Sequence, residues 1–122
     1  MEKEQQIVYD FLMPIWDSVS ADYKRKYVKN IWTQFEGMLK SASACNTLPA
    51  FYQKLCRRVD INPNKENGKK ITDYIGRNNG IDTETLTLIR KQTSYLTLVL
   101  RSLNEVRKEE SKNKLADQKS LF

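Results

Sequence analysis

Apolar side chains recur at helical spacing from the start of the chain. They cover about half of one helix circumference, which indicates an amphipathic helix. The residues concerned are Ile7, Val8, Phe11, Leu12, Ile15, Trp16 and Val19. Pro14 lies within this run and has no backbone N–H to donate. We therefore expect a kink at Pro14 or a break into two helices.

Two more helices are predicted between residues 20 and 59. Ser20 is placed to cap a helix that continues to about Ala42. Thr47 is placed to cap the next helix, with Pro49 in its first turn. The side chains that this third helix should turn inward are Phe51, Tyr52, Leu55, Cys56 and Val59.

The clearest loop in the sequence covers residues 61–68 (INPNKENG), where a proline, three asparagines and a glycine cluster. This segment is the best candidate for a mobile functional loop. Beyond it, residues 69–77 predict a short helix that residues 78–80 (NNG) should close. Asp82 or Thr83 is placed to cap the element that follows.

The last helix should be the longest, because one broad apolar arc extends from about Thr83 to Arg107. Its opposite face carries a polar ridge, which is either solvated surface or a binding stripe. The ridge residues are Arg90, Ser94, Thr97 and Arg101. After Lys108 the apolar pattern ends, so residues 109–122 are predicted to form a charged, disordered tail.

Together these elements predict an all-α fold, a compact bundle of about five helices with a long C-terminal helix. Four glycines and three prolines are too few for the turns of an all-β domain of this length. One domain should cover residues 1–108, since 122 residues suit a single core. No apolar run approaches the roughly 18 residues that span a bilayer, so we expect a cytoplasmic protein without a membrane partner.

The chain carries 21 Lys or Arg against 15 Asp or Glu and has no histidine, so its formal net charge is +6. Without histidine it lacks the commonest general base and every imidazole metal ligand. It also contains no phosphate-binding loop, no nucleophile elbow and no carboxylates at metal-binding spacing. We therefore expect a non-catalytic protein without a cofactor or metal. Cys45 and Cys56 specify no zinc site or disulfide framework and should be small buried hydrophobes.

The positive charge belongs to the middle of the chain. Residues 22–101 carry a net charge of +8, against −3 before them and +1 after them. Three clusters hold most of it: Lys24, Arg25, Lys26 and Lys29; then Lys54, Arg57 and Arg58; then Lys65, Lys69, Lys70 and Arg77. Like charges one helical turn apart repel each other, so their repetition favours a negatively charged partner, with nucleic acid the leading candidate. The alternative is a solvated basic surface.

Aromatic residues lie beside the first two clusters, and stacking of unpaired bases on such rings would suit single-stranded RNA or DNA. Tyr27, Phe51 and Tyr52 fall at core-facing spacings, which leaves Tyr23 and Trp32 as candidates for exposure. The residues that we expect to contact phosphate are Arg25, Lys29, Lys54, Arg57, Arg58, Lys69, Lys70 and Arg77, with Arg90 and Arg101 as a second group.

Residues 71–91 also contain the spacing of a helix-turn-helix scaffold. The matching residues are Ile75, Gly76, Gly80, Ile81, Leu86 and Ile89. Over about twenty residues the chain therefore resembles the generic helix-turn-helix family, which implies major-groove reading by the second helix. The positions that would face the bases include Asp82 and Glu84, whose charge repels phosphate and suits helix capping instead.

The sequence as a whole predicts a basic helical protein that contacts nucleic acid backbone as a small subunit of a ribonucleoprotein or DNA-processing assembly. Small helical subunits of CRISPR effector complexes are one instance of that type. A protein partner or self-association is also expected, because the apolar arcs of the first and last helices are broader than an outer helix of a small bundle requires. Two alternatives stay open: a protein-binding module, such as a phage-type inhibitor or an adaptor, and a helix-turn-helix regulator of DNA.

Overall fold

The computed structural model of the chain describes residues 2–77 and 82–120, with the side chains of residues 82, 83 and 114–120 left outside that description. Most of the described residues are helical and none of them lies in a β-strand, so the protein is all-α. Its first helix, α1, covers residues 3–18. The helices that follow are α2 (Ala21–Lys26), α3 (Ile31–Ala42), α4 (Leu48–Arg58), α5 (Lys65–Arg77), α6 (Asp82–Lys91) and α7 (Thr93–Ser120). The described part of the chain therefore has seven helices rather than about five.

Helix α1 passes through Pro14 without breaking. Its middle segment, Val8–Leu12, is π-helical, between α-helical segments on either side. The N–H of Met13 accordingly bonds to the carbonyl of Val8, five residues back. Because the ring of Pro14 would clash with the carbonyl four residues before it in a regular α-helix, the wider turn lies where the sequence predicted a kink.

Helix α1 is also the centre of the hydrophobic core. The Phe11 ring is fully buried, with its centroid 4.6 Å from that of Tyr74 on α5 and 5.9 Å from that of Phe51 on α4. One helical turn further on, Trp16 stacks on Trp32 of α3 at 4.2 Å. Because these aromatic side chains are buried on several sides of α1, helices α3, α4 and α5 pack around it.

Two predicted helix caps are confirmed. The hydroxyl of Ser20 accepts a hydrogen bond from the N–H of Tyr23 at 3.1 Å, and that of Thr47 accepts one from Ala50 at 3.3 Å. The helix that begins after Ser20 is shorter than predicted, because residues 27–30 form a turn between α2 and α3. The sequence pattern predicted one helix where the structure has two.

The residues predicted to point inward from α4 are only partly buried. Phe51, Leu55 and Val59 lie in the core, whereas Tyr52 is half-buried. Cys56 is exposed and Cys45 is half-buried, so the prediction that both cysteines are buried was wrong. Cys56 lies on the solvent side of α4, one residue before the exposed Arg57.

The connection between α4 and α5 is shorter than the predicted loop over residues 61–68. Helix α5 begins at Lys65, and the side chain of Asn64 accepts a hydrogen bond from the N–H of Asn67 at 2.7 Å, which is the pattern of an N-cap. The predicted C-cap at residues 78–80 lies outside the described residues, as do the side chains of the predicted caps Asp82 and Thr83.

The predicted long C-terminal helix is divided at Gln92 into α6 and α7. The polar ridge is interrupted at Thr97, whereas Arg90, Ser94 and Arg101 are exposed. Thr97 is buried and donates to the carbonyl of Thr93 at 2.8 Å, while Arg90 binds backbone carbonyls of the connection between α3 and α4.

Helix α7 continues past Lys108 to Ser120, and the division of the chain into a domain and a tail at that residue stays a prediction. Within the described ranges, no helix combines the length and the apolar character needed to cross a membrane.

Candidate nucleic-acid interface

The two residues that follow α1, Val19 and Ser20, join three helix ends. An isolated antiparallel bridge pairs Val19 with Ile61, in the connection between α4 and α5. Beside it, the N–H of Ser20 donates to the carbonyl of Asp60 at 2.6 Å, and the Ser20 hydroxyl donates to the Asp60 carboxylate at 2.7 Å. The start of α2, the end of α4 and the start of α5 therefore meet within roughly 15 Å, given the length of chain that separates each from the bridge.

The same segment is also tied to α7. The Asp17 carboxylate accepts two hydrogen bonds from the guanidinium of Arg107, at 2.9 and 3.1 Å. Asn104 strengthens this contact, since its side-chain oxygen accepts from Arg107 at 3.1 Å and from the Trp16 indole at 3.3 Å. Residues 17–20 thus hold four helices together at one end of the molecule.

This convergence produces a basic surface, which we call the basic end. Its cationic residues are Lys24, Arg25, Lys26, Lys29, Arg57, Arg58, Lys65, Lys69, Arg107, Lys108 and Lys112. The acidic residues among them are Asp17, Asp22, Asp60, Glu66, Glu105, Glu109 and Glu110. The cations outnumber the acids, so the basic end carries a net positive field.

Five of the predicted phosphate contacts lie at the basic end and are exposed: Arg25, Lys29, Arg57, Arg58 and Lys69. Lys54 is half-buried, one turn further back along α4. The first two sequence clusters are therefore brought to the same end of the molecule.

The third sequence cluster is divided. Lys69 lies in the early part of α5, whereas Arg77 is at the far end of that helix, about 18 Å from its first residue by helical rise, with its guanidinium 6.0 Å from the Tyr74 ring. Lys70 is exposed and pairs with Glu66 one turn before it, at 3.4 Å. Arg77 is therefore separate from the basic end.

The second group of predicted contacts is also divided. The guanidinium of Arg90 donates to the carbonyls of Ser43 at 2.8 Å and Cys45 at 3.1 Å, which fixes the connection between α3 and α4. These hydrogen bonds give Arg90 a structural role, although its side chain is exposed, and its phosphate contact stays a prediction. Arg101 is exposed on α7 and lines a small cleft beside Trp32 of α3.

Lys24 is the most unusual cation of the basic end. Its ammonium lies 4.2 Å from the centre of the Trp16 ring, where the side chain is half-buried. Burial lowers the pKa of Lys24; Asp17 partly opposes this shift, and the positive charges of Arg107 and Lys108 add to it. The fold thus holds three cations close enough to repel one another, and a bound anion would relieve that repulsion.

The sequence predicted Arg101 on this helix, but it missed Lys108 and Lys112 because the apolar pattern ends near Lys108. Arg101, Lys108 and Lys112 are spaced by seven and four residues, so they lie on one face of the helix. Lys108 pairs with Glu105 at 3.7 Å and Lys112 with Glu109 at 3.9 Å. These are exposed pairs of small net strength, and they leave the cations able to exchange partners.

Comparison with protein-family models, with curated proteins and with solved structures found no match. The function of the basic end is therefore argued from its own charge, burial and geometry.

Of the two aromatic residues predicted as candidates for exposure, one is buried and the other is half-buried. Tyr23 is buried, with its ring 4.8 Å from that of Tyr27, so its predicted exposure was wrong. Trp32 is half-buried against Trp16. Of the two rings, Trp32 alone keeps substantial access to solvent.

The structure weakens the helix-turn-helix resemblance at Gly76. A close approach of two helices would require a small residue at position 76, yet a Cβ on Gly76 would meet no atom of the described residues within 4 Å. Glu84, on the helix that would read bases, instead pairs with Lys3 of α1. Residues 80–81, which carry the turn of the motif, lie outside the described residues.

A groove of about 820 Å³ runs between α1 and α5. Asp10 and Asp73 line it together with Lys70 and Arg77. Because its lining carries both signs of charge, the groove does not extend the basic end as a surface for phosphate.

Proposed function

We propose that this protein binds the backbone of single-stranded nucleic acid through the basic end, without catalysis, as a small subunit of a ribonucleoprotein or DNA-processing assembly. The observation that carries the proposal is the convergence at residues 17–20, which collects cations from α2, α4, α5 and α7. A fixed array of cations on packed helices attracts a polyanion more strongly than the same charges on a flexible segment would.

The arrangement of the cations supports a phosphate backbone as the ligand. Exposed Lys and Arg side chains from separate helices can contact successive phosphates, and each contact releases condensed counterions from the strand. Such contacts do not read the base sequence, so the proposed binding depends on the charge of the backbone and on the type of strand. A single strand is favoured because Tyr27 and Trp32 each give a partly accessible ring next to the cluster on α2.

Fluorescence anisotropy of labelled single-stranded RNA, single-stranded DNA and duplex DNA tests this proposal. Five phosphate contacts to a single strand predict a slope of log affinity against log salt of about −3.5, which is about a hundredfold loss of affinity between roughly 50 and 200 mM salt. We expect the single strands to bind more tightly than the duplex. No binding of any strand at the lower salt concentration would contradict the proposal.

The same titration separates the alternatives. A helix-turn-helix regulator would prefer the duplex. A protein-binding module would bind none of the three strands and would show salt-sensitive association with an acidic protein. One observation favours a protein partner or self-association: Tyr95, Leu98 and Val106 expose 43, 61 and 53% of their surface on α7, at spacings that place them on one side of the helix.

A further inference from the structure

We infer that the cleft between α3 and α7 is a subsite for one unpaired nucleobase of a strand bound to the basic end. The inference rests on the proposed function, since the basic end would supply the phosphate contacts of that strand. The cleft is lined by Trp32, Thr33, Glu36, Ser94, Leu98 and Arg101. Its volume is about 170 Å³.

The Trp32 ring is a rigid platform. It stacks on Trp16 at 4.2 Å with an angle of 26° between the ring planes. Trp16 is in turn fixed by an edge-on contact with Phe35 at 5.3 Å and by its hydrogen bond to Asn104. Because packing already holds Trp32, stacking of a base would cost little side-chain entropy.

The other walls of the cleft suit a flat, polar-edged ring. Leu98 is 61% exposed and gives an apolar wall on α7. Thr33, Ser94 and Glu36 line the cleft with hydrogen-bonding groups that could contact the edge of a base. The volume is below the roughly 300 Å³ of pockets that enclose drug-sized ligands, so one base fits the cleft better than a larger ligand does.

The cleft also lies on the path of the proposed strand. Lys29 precedes Trp32 by three residues, and Arg101 lines the cleft itself. Lys108 follows Arg101 by two helical turns on the same face of α7, which is about 10 Å along the axis. Lys29 and Lys108 therefore both lie beyond the Arg101 end of the cleft, and a strand held by them would reach the cleft at that end, with Arg101 available to its phosphate or to the face of its base.

The test compares two strands that differ only in their bases. An oligothymidylate of about 15 nucleotides and an abasic strand of the same length carry the same backbone charge, and each is titrated by fluorescence anisotropy. We expect the base-bearing strand to bind about tenfold more tightly to the unchanged protein, since base–aromatic stacking commonly contributes that much or more. This comparison requires no substitution, so it does not depend on the folding of a variant.

Two variants test whether the cleft causes this difference in affinity between the two strands. Trp32→Leu should lower affinity for oligothymidylate to the abasic level, while leaving abasic affinity and its salt slope unchanged. Tyr95→Leu, which removes an exposed ring outside the cleft lining, should change neither affinity.

Three results would overturn the inference. Equal affinity for both strands, with the steep salt slope retained, would contradict the base subsite but not the proposed binding of the backbone. An equal loss for both strands in Trp32→Leu would show that Trp32 only supports the fold. Failure of both strands to bind at low salt would remove the proposed function together with the subsite.

Discussion

Reversing the charges of Arg57 and Arg58 together is expected to weaken binding of a single strand by about a hundredfold, or about 2.7 kcal/mol, at roughly 50 mM salt. Both residues are exposed at the end of α4, four and three residues before Ile61, which forms the bridge to Val19. Arg57→Glu and Arg58→Glu would remove two phosphate contacts and add two repulsions. The slope of log affinity against log salt should fall by about 1.4, which anisotropy titrations at several salt concentrations would measure.

A control variant of the same net charge is available. Lys40 lies in the last turn of α3 and Lys91 at the end of α6, and both are exposed. Thr93, two residues after Lys91, is about 21 Å from the level of Arg107, counted along α7 by helical rise. Lys40→Glu with Lys91→Glu should weaken binding less than about threefold at the same salt. If the two double variants weaken binding equally, net charge rather than the basic end determines affinity.

Phe11→Ala should have the largest effect on stability, lowering the free energy of unfolding by about 3–5 kcal/mol. The Phe11 side chain is fully buried, and its ring contacts those of Phe51 and Tyr74. Removing it would leave a cavity where α1, α4 and α5 meet, and it would delete two aromatic contacts as well. Urea unfolding followed by circular dichroism gives the free energy.

Tyr9→Ala is the matched control, because Tyr9 is an aromatic residue of the same π-helical segment but is 44% exposed. Its loss should cost less than about 1 kcal/mol. Similar losses for both variants would mean that the packing around Phe11 does not hold the three helices together.

The parts of the fold that local chemistry determines could be predicted from the sequence. A hydroxyl followed by a helical pattern is enough to cap a helix, so Ser20 and Thr47 were identified before any tertiary contact was known. The apolar spacing from Ile7 to Val19 likewise predicted an amphipathic helix, and the seven apolar residues that define it are buried. The all-α class follows from such patterns taken together.

The breaks between helices could not be predicted in the same way. Periodicity continues through residues 27–30 and through Gln92, although the chain turns at the first and the helix is interrupted at the second. A pattern of apolar residues shows which side of a helix is buried, but it does not show where tertiary packing ends that helix.

The candidate site was predicted only in part. Cations close in sequence were recognised as clusters because helical spacing determines which of them are neighbours. The contact of Asp17 with Arg107 joins residues 90 positions apart, and the role of Arg90 depends on carbonyls 45 and 47 positions away. Such contacts depend on the whole fold, so the sequence could neither place Arg107 of α7 beside α1 nor show that Arg90 binds backbone carbonyls.

The most direct measurement is an NMR titration of the 15N-labelled protein with a single-stranded oligonucleotide, followed by amide chemical shifts. If the basic end is the binding surface, the largest shifts will fall in residues 21–29, 57–65 and 101–112, three segments that meet only in the folded chain. The amides of α6 from Glu84 to Lys91 should change little. Shifts centred on α6, or no shifts at any strand concentration, would contradict the assignment of nucleic acid binding to the basic end.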